Sequence, residues 1–308
     1  MLKCPSGALL AVGIMLTASG CGTAADSDAG PTLEVPDEPR ASIRSEYRGW
    51  RSDDHALYEM EERLIAACMS EQGFVYTPQL TDSGGAEVFD PLPPGDFEIS
   101  VEDAQQSGYP ADSSSSGSDG DVEPADLQTL SSTQRAAWQA AYLGAEEKRK
   151  TTDTTGPGGT QITTELGGCR LTAVDQLYGS LDAYAQADFT DSNLAAFALN
   201  SAADDDAMRA LDRQWSRCMA DGGFSHDAAG DPLERPENAR SLAVDRRGEA
   251  PAIAVSDAAC QKQLSYADQR ISIEDRYLTA VADAYEAEIT GALDIKRSAL
   301  STGRELLG

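Results

Sequence analysis

The chain has 308 residues, with 24 Lys and Arg against 52 Asp and Glu, and a formal net charge of −28 at pH 7. This charge argues against a nucleic-acid partner, because phosphates would be repelled where binding needs Lys and Arg, and against lying flat on an anionic lipid surface. The length suffices for one large domain or two small ones. The aromatic content of 6% favours Ala-rich helix packing over a thick aromatic core.

The N-terminus carries an export signal. A short basic start is followed by an apolar stretch that ends at Leu16 and is too short to span a bilayer. Small residues then lead to Cys21, and Leu16–Cys21 closely resembles the lipobox of bacterial lipoproteins. That resemblance implies a signal peptide over residues 1–20, cleavage after Gly20, and a diacylglycerol anchor with palmitate-class chains on Cys21. The alternative is an ordinary secretory signal with a coincidental cysteine.

Residues 21–38 are small, polar and acidic, which predicts a flexible tether between the lipid and the folded part. The lipid bilayer is therefore the first expected partner. The folded part is expected at the outer face of the cytoplasmic membrane, outside the cytoplasm.

The chain is organised around a stretch that occurs twice. Cys68–Phe74 reads CMSEQGF, and Cys218–Phe224, 150 positions later, reads CMADGGF. Glycine suits the left-handed residue that ends a helix, and the Phe after it can fold back as an apolar plug. The likeness extends to two flanking pairs: Glu62-Arg63 with Asp212-Arg213, and Asp90–Leu92 with Asp231–Leu233. A duplication is predicted, with the first unit over residues 39–190 and the second over 191–308.

Four cysteines remain once the signal peptide and Cys21 are set aside. An even number in an exported protein indicates disulfides, and four cysteines allow three pairings. The duplication selects Cys68–Cys169 and Cys218–Cys260, because each unit then holds its motif cysteine and one further cysteine. A zinc site is the alternative, but no Cys-x-x-Cys occurs and the two histidines are poorly spaced. No metal and no cofactor are predicted.

Apolar residues recur at helical spacing through most of the chain. Ile43, Trp50, Leu57 and Leu64 recur every seven residues and predict a helix from about 39 to 72. A similar repeat predicts one long C-terminal helix over 257–302, which Gly291 could interrupt and which would pack on the 39–72 helix. No run of alternating β-branched residues stands out. The predicted fold is all-α, a disulfide-stapled helical bundle.

Two segments read as disordered inserts in the first unit. The stretch near 110–126 is of low complexity, with runs of Ser, Gly and Asp. The stretch near 151–165 is rich in Thr and Gly and is predicted to be a flexible linker.

One face of the 39–72 helix carries an arginine strip made of Arg40, Arg44, Arg48 and Arg51. In so acidic a chain this strip is a candidate docking surface for an acidic envelope protein or polymer. The alternative is a solvated face whose arginines pair with nearby Asp and Glu.

The sequence contains no catalytic constellation. His55 and His226 each stand alone beside a carboxylate, and no Gly-x-Ser-x-Gly elbow is present. Paired cysteines cannot act as nucleophiles. With 52 Asp and Glu residues, no particular carboxylate pair is singled out, so no catalytic residue is predicted.

The lipobox, the Arg- and Ala-rich, Lys-poor composition and the doubled Cys-Met-x-x-x-Gly-Phe motif together resemble lipoproteins of unknown function from high-GC Gram-positive (actinobacterial) bacteria. The resemblance covers both units, and Ser131–Gly144 also fits it. It implies a surface-anchored helical protein and supplies no catalytic residue.

The leading hypothesis is a non-enzymatic lipoprotein that binds a protein or envelope component, for instance as an accessory beside an envelope transporter. The alternative is a cell-envelope hydrolase that uses paired carboxylates. A pocket with converging acids of shifted pKa would favour the hydrolase, and a convex acidic surface would favour the binding protein.

Overall fold

The computed structural model describes residues 30–80, 92, 99–109, 127, 130–227 and 229–308. The predicted signal peptide, Cys21 and the insert near 110–126 lie outside the described residues. Within them the chain is mostly helical, as predicted. In chain order the helices are α1 (Ile43–Trp50), α2 (Asp54–Glu71), α3 (Val101–Ser107), α4 (Ser132–Leu143), α5 (Gly168–Tyr178), α6 (Leu181–Ala203), α7 (Asp206–Asp221), α8 (Pro236–Asp245), α9 (Ala250–Leu264), α10 (Tyr266–Ala284) and α11 (Glu286–Leu307).

Both predicted disulfides are confirmed. Cys68 on α2 is bonded to Cys169 on α5, and Cys218 on α7 is bonded to Cys260 on α9. Each motif helix is therefore fastened to the helix that packs beside it in its own unit. A separate apolar core lies at each disulfide, the first under α2, α4 and α5 and the second under α7, α8 and α9.

The two motif helices end in the same way. In the first copy the Phe74 amide donates to the Met69 carbonyl at 2.9 Å, and the Gly73 amide donates to the Ser70 carbonyl at 3.0 Å. The second copy repeats both bonds at the same lengths, Phe224 to Met219 and Gly223 to Ala220. Both glycines are left-handed, with φ of 82° and 91°. This is the Schellman ending of a helix, as the glycine predicted.

The two units share a third core and are not separate bodies. In this core Ile43 and Tyr47 of α1 are buried with Leu278 and Val281 of α10, and α6 packs against both α10 and α11. The predicted boundary between 190 and 191 falls inside α6, which is continuous from Leu181 to Ala203. This helix is capped by Ser180, whose hydroxyl accepts from the Ala183 amide, so no helix begins at the predicted boundary.

The insert predicted as flexible at 151–165 is an antiparallel hairpin, so that prediction is wrong. Strands β1 (Lys150–Thr155) and β2 (Gln161–Leu166) pair from Lys150 opposite Leu166 to Thr155 opposite Gln161. The hairpin packs on α6. Thr is β-branched and favours strands. Of the two strands only Leu166 is fully buried, so the apolar alternation that usually indicates a strand is absent.

The predicted long helices are broken into shorter ones. The 39–72 segment is α1 and α2, separated by a turn at 51–53. The 257–302 segment belongs to α9, α10 and α11, with breaks at Ser265, which is left-handed at φ 45°, and at Tyr285. Gly291 does not interrupt α11, which at 22 residues is the confirmed long C-terminal helix.

Residues 30–38, predicted to belong to the flexible tether, contact the folded protein. Arg276 of α10 donates to the Pro36 carbonyl at 2.7 Å, and Leu33 packs on the shared core. Just beyond, the Arg40 amide donates to the hydroxyl of Thr279. The tether prediction is wrong for this part, because carbonyls and an apolar side chain give the segment specific places to bind on α10.

Candidate functional site

The arginines predicted as a docking strip contact the protein itself. Arg44 forms two ion pairs with α10, from Nη2 to Glu274 at 2.7 Å and from Nε to Asp275 at 2.5 Å. Arg40 lies before α1 and pairs with Asp283 of α10 at 3.3 Å. These contacts hold α1 and the residues before it against α10.

The other two arginines of the strip are also engaged. Arg48 donates to the Leu92 carbonyl at 3.0 Å, and Arg51 donates to Asp54 at 2.8 Å. The side chains of Arg44 and Arg51 are only 23% and 17% exposed. Arg40 and Arg48 are exposed, so the strip is partly open to solvent, and its role as a docking surface stays a prediction.

A carboxylate stands six residues before the motif cysteine in both units, and in the first unit it is sealed. Glu62 is 6% exposed. It accepts hydrogen bonds from the Tyr76 hydroxyl, at 2.8 Å and 3.1 Å to its two oxygens, and from the Gln79 amide at 2.7 Å. Both donor residues lie just after the motif, so the first unit itself supplies the hydrogen bonds that satisfy Glu62.

The second unit has a carboxylate at the equivalent position, but it lacks the donors that satisfy Glu62. Asp212 corresponds to Glu62, and the residues that correspond to Tyr76 and Gln79 are His226 and Ala229. His226 instead contacts the neighbouring Ser225 hydroxyl at 2.8 Å. The partner of Asp212 comes from α10, where the buried Tyr266 hydroxyl donates to Oδ1 at 2.5 Å.

Asp212 lines a cleft of about 150 Å³ between α6, α7 and α10. One wall is apolar and consists of Leu199, Ala203 and Met208. Met208 takes the place that Tyr58 has in the first unit. The remaining lining is polar or charged: Asn200, Asp212, Arg235, Tyr266, Arg270 and Glu274.

A network of ion pairs fixes the far wall of the cleft. Both oxygens of Glu274 are engaged, Oε2 by Arg44 and Oε1 by the Nε of Arg270 at 2.8 Å. Arg270 also reaches Glu237 of α8 with Nη1 at 2.6 Å. Burial lowers the pKa of Arg270, but the hydrogen bonds to Glu237 and Glu274 outweigh it and the pKa is raised, so this guanidinium stays charged.

The carboxyl of Asp212 has a pKa that the cleft alters. Burial raises its pKa above the ordinary value of 3.8. The hydrogen bond from Tyr266 and the positive charges of Arg235 and Arg270 oppose this shift without cancelling it. Burial, followed by the bond to Asp212, in turn raises the pKa of Tyr266, which keeps that hydroxyl protonated as the donor.

A second cavity of about 360 Å³ lies between α3, α9 and the start of α10. Its lining includes Ser265, which is the one non-glycine residue with positive φ in the described part of the chain. Its other polar lining residues include Glu102, Gln261 and Lys262. Tyr266 lines both cavities.

The residues considered for chemistry in the sequence do not come together. His55 lies 3.5 Å from Glu59 on the surface of α2, and His226 lies in the loop after α7. Within the described residues no group of three or more His, Cys, Asp and Glu is placed to hold a metal ion. None of the described helices is long and apolar enough to cross a membrane.

The tryptophans are largely structural. Trp138 is 4% exposed and donates to the Val75 carbonyl at 2.9 Å, and Trp215 is fully buried and donates to Asp257 at 2.8 Å. Trp50 stays half-buried beside Tyr47.

Sequence reasoning missed the cleft, although one signal for it was present. The pairing of Glu62 with Asp212 was visible in the repeat, as was the exchange of Tyr76 for His226. The contributions of Tyr266, Arg270 and Glu274 carried no such signal, because they come from a helix more than fifty positions away. Comparison with family models, with curated proteins and with solved structures finds no match to this chain.

Proposed function

We propose that the protein is an extracytoplasmic lipoprotein, held at the outer face of the cytoplasmic membrane through Cys21, that binds a small polar ligand without chemical turnover. An accessory role beside an envelope transporter is one form of this function. The lipobox-like Leu16–Cys21 supports the anchor. Two disulfides support an oxidising compartment, because such bonds persist outside the cytoplasm.

The observation that carries the binding function is the difference between the two copies of one carboxylate. Glu62 is closed off by donors of its own unit, whereas Asp212 lines a cleft of about 150 Å³. A buried acid that serves only the fold is expected to be satisfied as Glu62 is. The open position of Asp212, together with its raised pKa, marks this cleft as the candidate site.

A hydrolase remains the second candidate because Asp212 and Glu274 line the same cleft. Paired carboxylates in different environments can divide acid and base roles. Glu274, however, has each oxygen bonded to a guanidinium, so neither oxygen is free to contact a substrate or a water. The geometry therefore favours binding over hydrolysis.

The anchor is tested by replacing its cysteine. In cells expressing Cys21→Ala, the protein is expected to leave the membrane fraction, whereas Cys4→Ala, inside the predicted signal peptide, should leave anchoring unchanged. Immunoblots of membrane and soluble fractions give the measurement. Equal membrane association of the Cys21→Ala and unaltered proteins would show that the anchor lies elsewhere.

Binding and hydrolysis are separated with the purified full chain in detergent. A library of small polar metabolites is screened by the shift in melting temperature, and hits should disappear in Asp212→Asn but persist in Glu62→Gln, the matched change in the sealed copy. Peptidoglycan fragments are incubated in parallel and analysed for new reducing ends. Turnover that Asp212→Asn abolishes would establish the hydrolase instead.

A further inference from the structure

Two charged groups in the cleft have polar atoms that no described residue occupies. Tyr266 occupies Oδ1 of Asp212, and no described residue donates to Oδ2. Arg235 lies at the exposed rim just before α8, and among the described residues its guanidinium has no ion-pair partner. The other charged groups, Arg270 and Glu274, are held by each other and by Glu237 and Arg44.

The free acceptor and the free cation face the same space. Arg235 lies close enough to Asp212 to lower the pKa of that carboxyl, yet the two do not form an ion pair. A ligand that carries an ammonium and a carboxylate on the same carbon can satisfy both groups. A ligand with a single charge would satisfy one and leave the other repelling it or unpaired.

The volume restricts the size of the ligand. At about 30 Å³ for each water, a cleft of 150 Å³ holds about five waters. This is about half the lower limit of roughly 300 Å³ for pockets that enclose drug-sized molecules. The volume therefore favours a ligand of a few heavy atoms over a nucleotide or an oligosaccharide. The apolar wall of Leu199, Ala203 and Met208 indicates that part of the ligand is aliphatic.

We propose that the cleft binds a small aliphatic α-amino acid as its zwitterion. The ammonium group lies on Oδ2 of Asp212, the carboxylate lies on the guanidinium of Arg235, and the side chain packs on the wall of Leu199, Ala203 and Met208. Asn200, which also lines the cleft, can hydrogen-bond either end. This inference rests on the proposed binding function and names the class of ligand that the site takes.

Isothermal titration calorimetry of the detergent-purified full chain tests the proposal. Alanine and valine are compared with analogues that lack one charge, propionate and isobutyrate for the acid alone and ethylamine and isobutylamine for the base alone. The zwitterions are expected to bind at least about tenfold more tightly than any single-charge analogue, because each lost charge-assisted bond corresponds to about that factor.

Variants assign the contacts. Arg235→Gln and Asp212→Asn should each weaken alanine and valine binding by about tenfold or more, and Arg235→Lys should recover part of the loss. Arg213→Gln and Asp221→Asn are the matched controls, since both residues are exposed on α7 away from the lining. Circular dichroism confirms that each variant is folded.

The outcomes separate this inference from the function beneath it. If inorganic phosphate or putrescine binds, in a manner that Asp212→Asn abolishes, while no amino acid does, the ligand class is wrong and the binding function stands. If amino acids bind unchanged in Arg235→Gln and Asp212→Asn, the site is wrong. If nothing in the panel or the metabolite library binds in a manner sensitive to Asp212→Asn, both proposals fail.

Discussion

Asp257 is a carboxylate that the fold holds almost completely away from water, at 1% exposure. Its Oδ1 accepts from Trp215 and from Gln261, at 2.8 Å and 2.9 Å, and its Oδ2 accepts from the Tyr109 hydroxyl at 2.8 Å. The sequence pattern placed Asp257 at the first position of the predicted helix over 257–302. That was wrong because α9 begins at Ala250, which places Asp257 inside the helix and against Trp215.

This burial predicts a pH dependence of stability. Burial raises the pKa of Asp257 above 3.8, and its three hydrogen bonds oppose the shift without cancelling it. Above about pH 4 the Asp257 carboxyl loses its proton in the unfolded chain but still holds it in the folded chain. The stabilisation present at low pH is therefore lost as the pH rises through the raised pKa of the folded state. The unfolding free energy of the unaltered protein relative to Asp257→Asn should therefore fall as pH increases from about 4.

Urea unfolding at a series of pH values measures this difference. Asp245→Asn, at an exposed position on α8, is the control and should show no comparable trend. A difference between the unaltered protein and Asp257→Asn that stays constant from about pH 4 to 7 would contradict the assignment.

The motif glycine Gly223 predicts a conformational penalty that involves no packing. A Cβ there would contact nothing within 4 Å, but φ is 91°. Gly223→Ala should therefore lower the unfolding free energy by about 1–2 kcal/mol, the cost of a left-handed non-glycine residue. Gly49→Ala in α1, which is equally free of contacts and has ordinary φ, should instead raise it by about 0.5 kcal/mol. Equal effects in urea unfolding would refute this explanation of the helix end.

At the scale of the element, α1 is held by charge as well as by its apolar face. Arg44→Ala would leave Glu274, which is 9% exposed, with one guanidinium partner fewer. We expect a loss of about 2 kcal/mol, less than the 3–5 kcal/mol of a fully buried pair because Arg44 is partly exposed. Arg63→Ala, whose side chain is 53% exposed, should cost below about 0.5 kcal/mol. Thermal unfolding that leaves Arg44→Ala as stable as Arg63→Ala would show that these ion pairs do not hold α1.

Helix ends were predictable from sequence where one residue type determines them, and helix breaks were not. Ser131 caps α4 through its bond to the Gln134 amide, as its type predicted, and the motif glycines end α2 and α7. The break at Ser265 has no Gly or Pro to indicate it, and the buried Tyr266 follows it directly. The Thr-rich hairpin was missed because neither strand has a consistently buried face.

At the scale of the whole molecule, the two disulfides should stabilise unequally. The bonded cysteines are 101 positions apart in the first unit and 42 in the second. Each bond is expected to contribute about 2–4 kcal/mol, and the chain-entropy account gives the first about 0.8 kcal/mol more. The pair Cys68→Ala/Cys169→Ala should therefore destabilise more than Cys218→Ala/Cys260→Ala in urea unfolding. The reverse order would indicate residual structure in the unfolded chain.

The candidate site is assembled from segments that are distant in the sequence, and for that reason it was the least predictable feature. Its lining comes from α6, α7, the residue before α8, and α10. Periodicity within any one of these segments indicates only which face is apolar. The duplication could pair Asp212 with Glu62, but only the packing of α10 shows that one copy is sealed and the other is open.

Residues 30–54 pack on the C-terminal helices, so this early segment can complete its folding only after those helices have been synthesised. The bonds that hold this segment join positions 230 to 246 residues apart, from Arg44 with Glu274 to Trp50 with Lys296. Synthesis proceeds from the N-terminus, so α1 is made well before α10, the helix that covers its apolar face. Until α10 arrives, Ile43 and Tyr47 are exposed to any other chain or chaperone nearby. A chain truncated before α10 would lack the helix that covers the apolar face of α1.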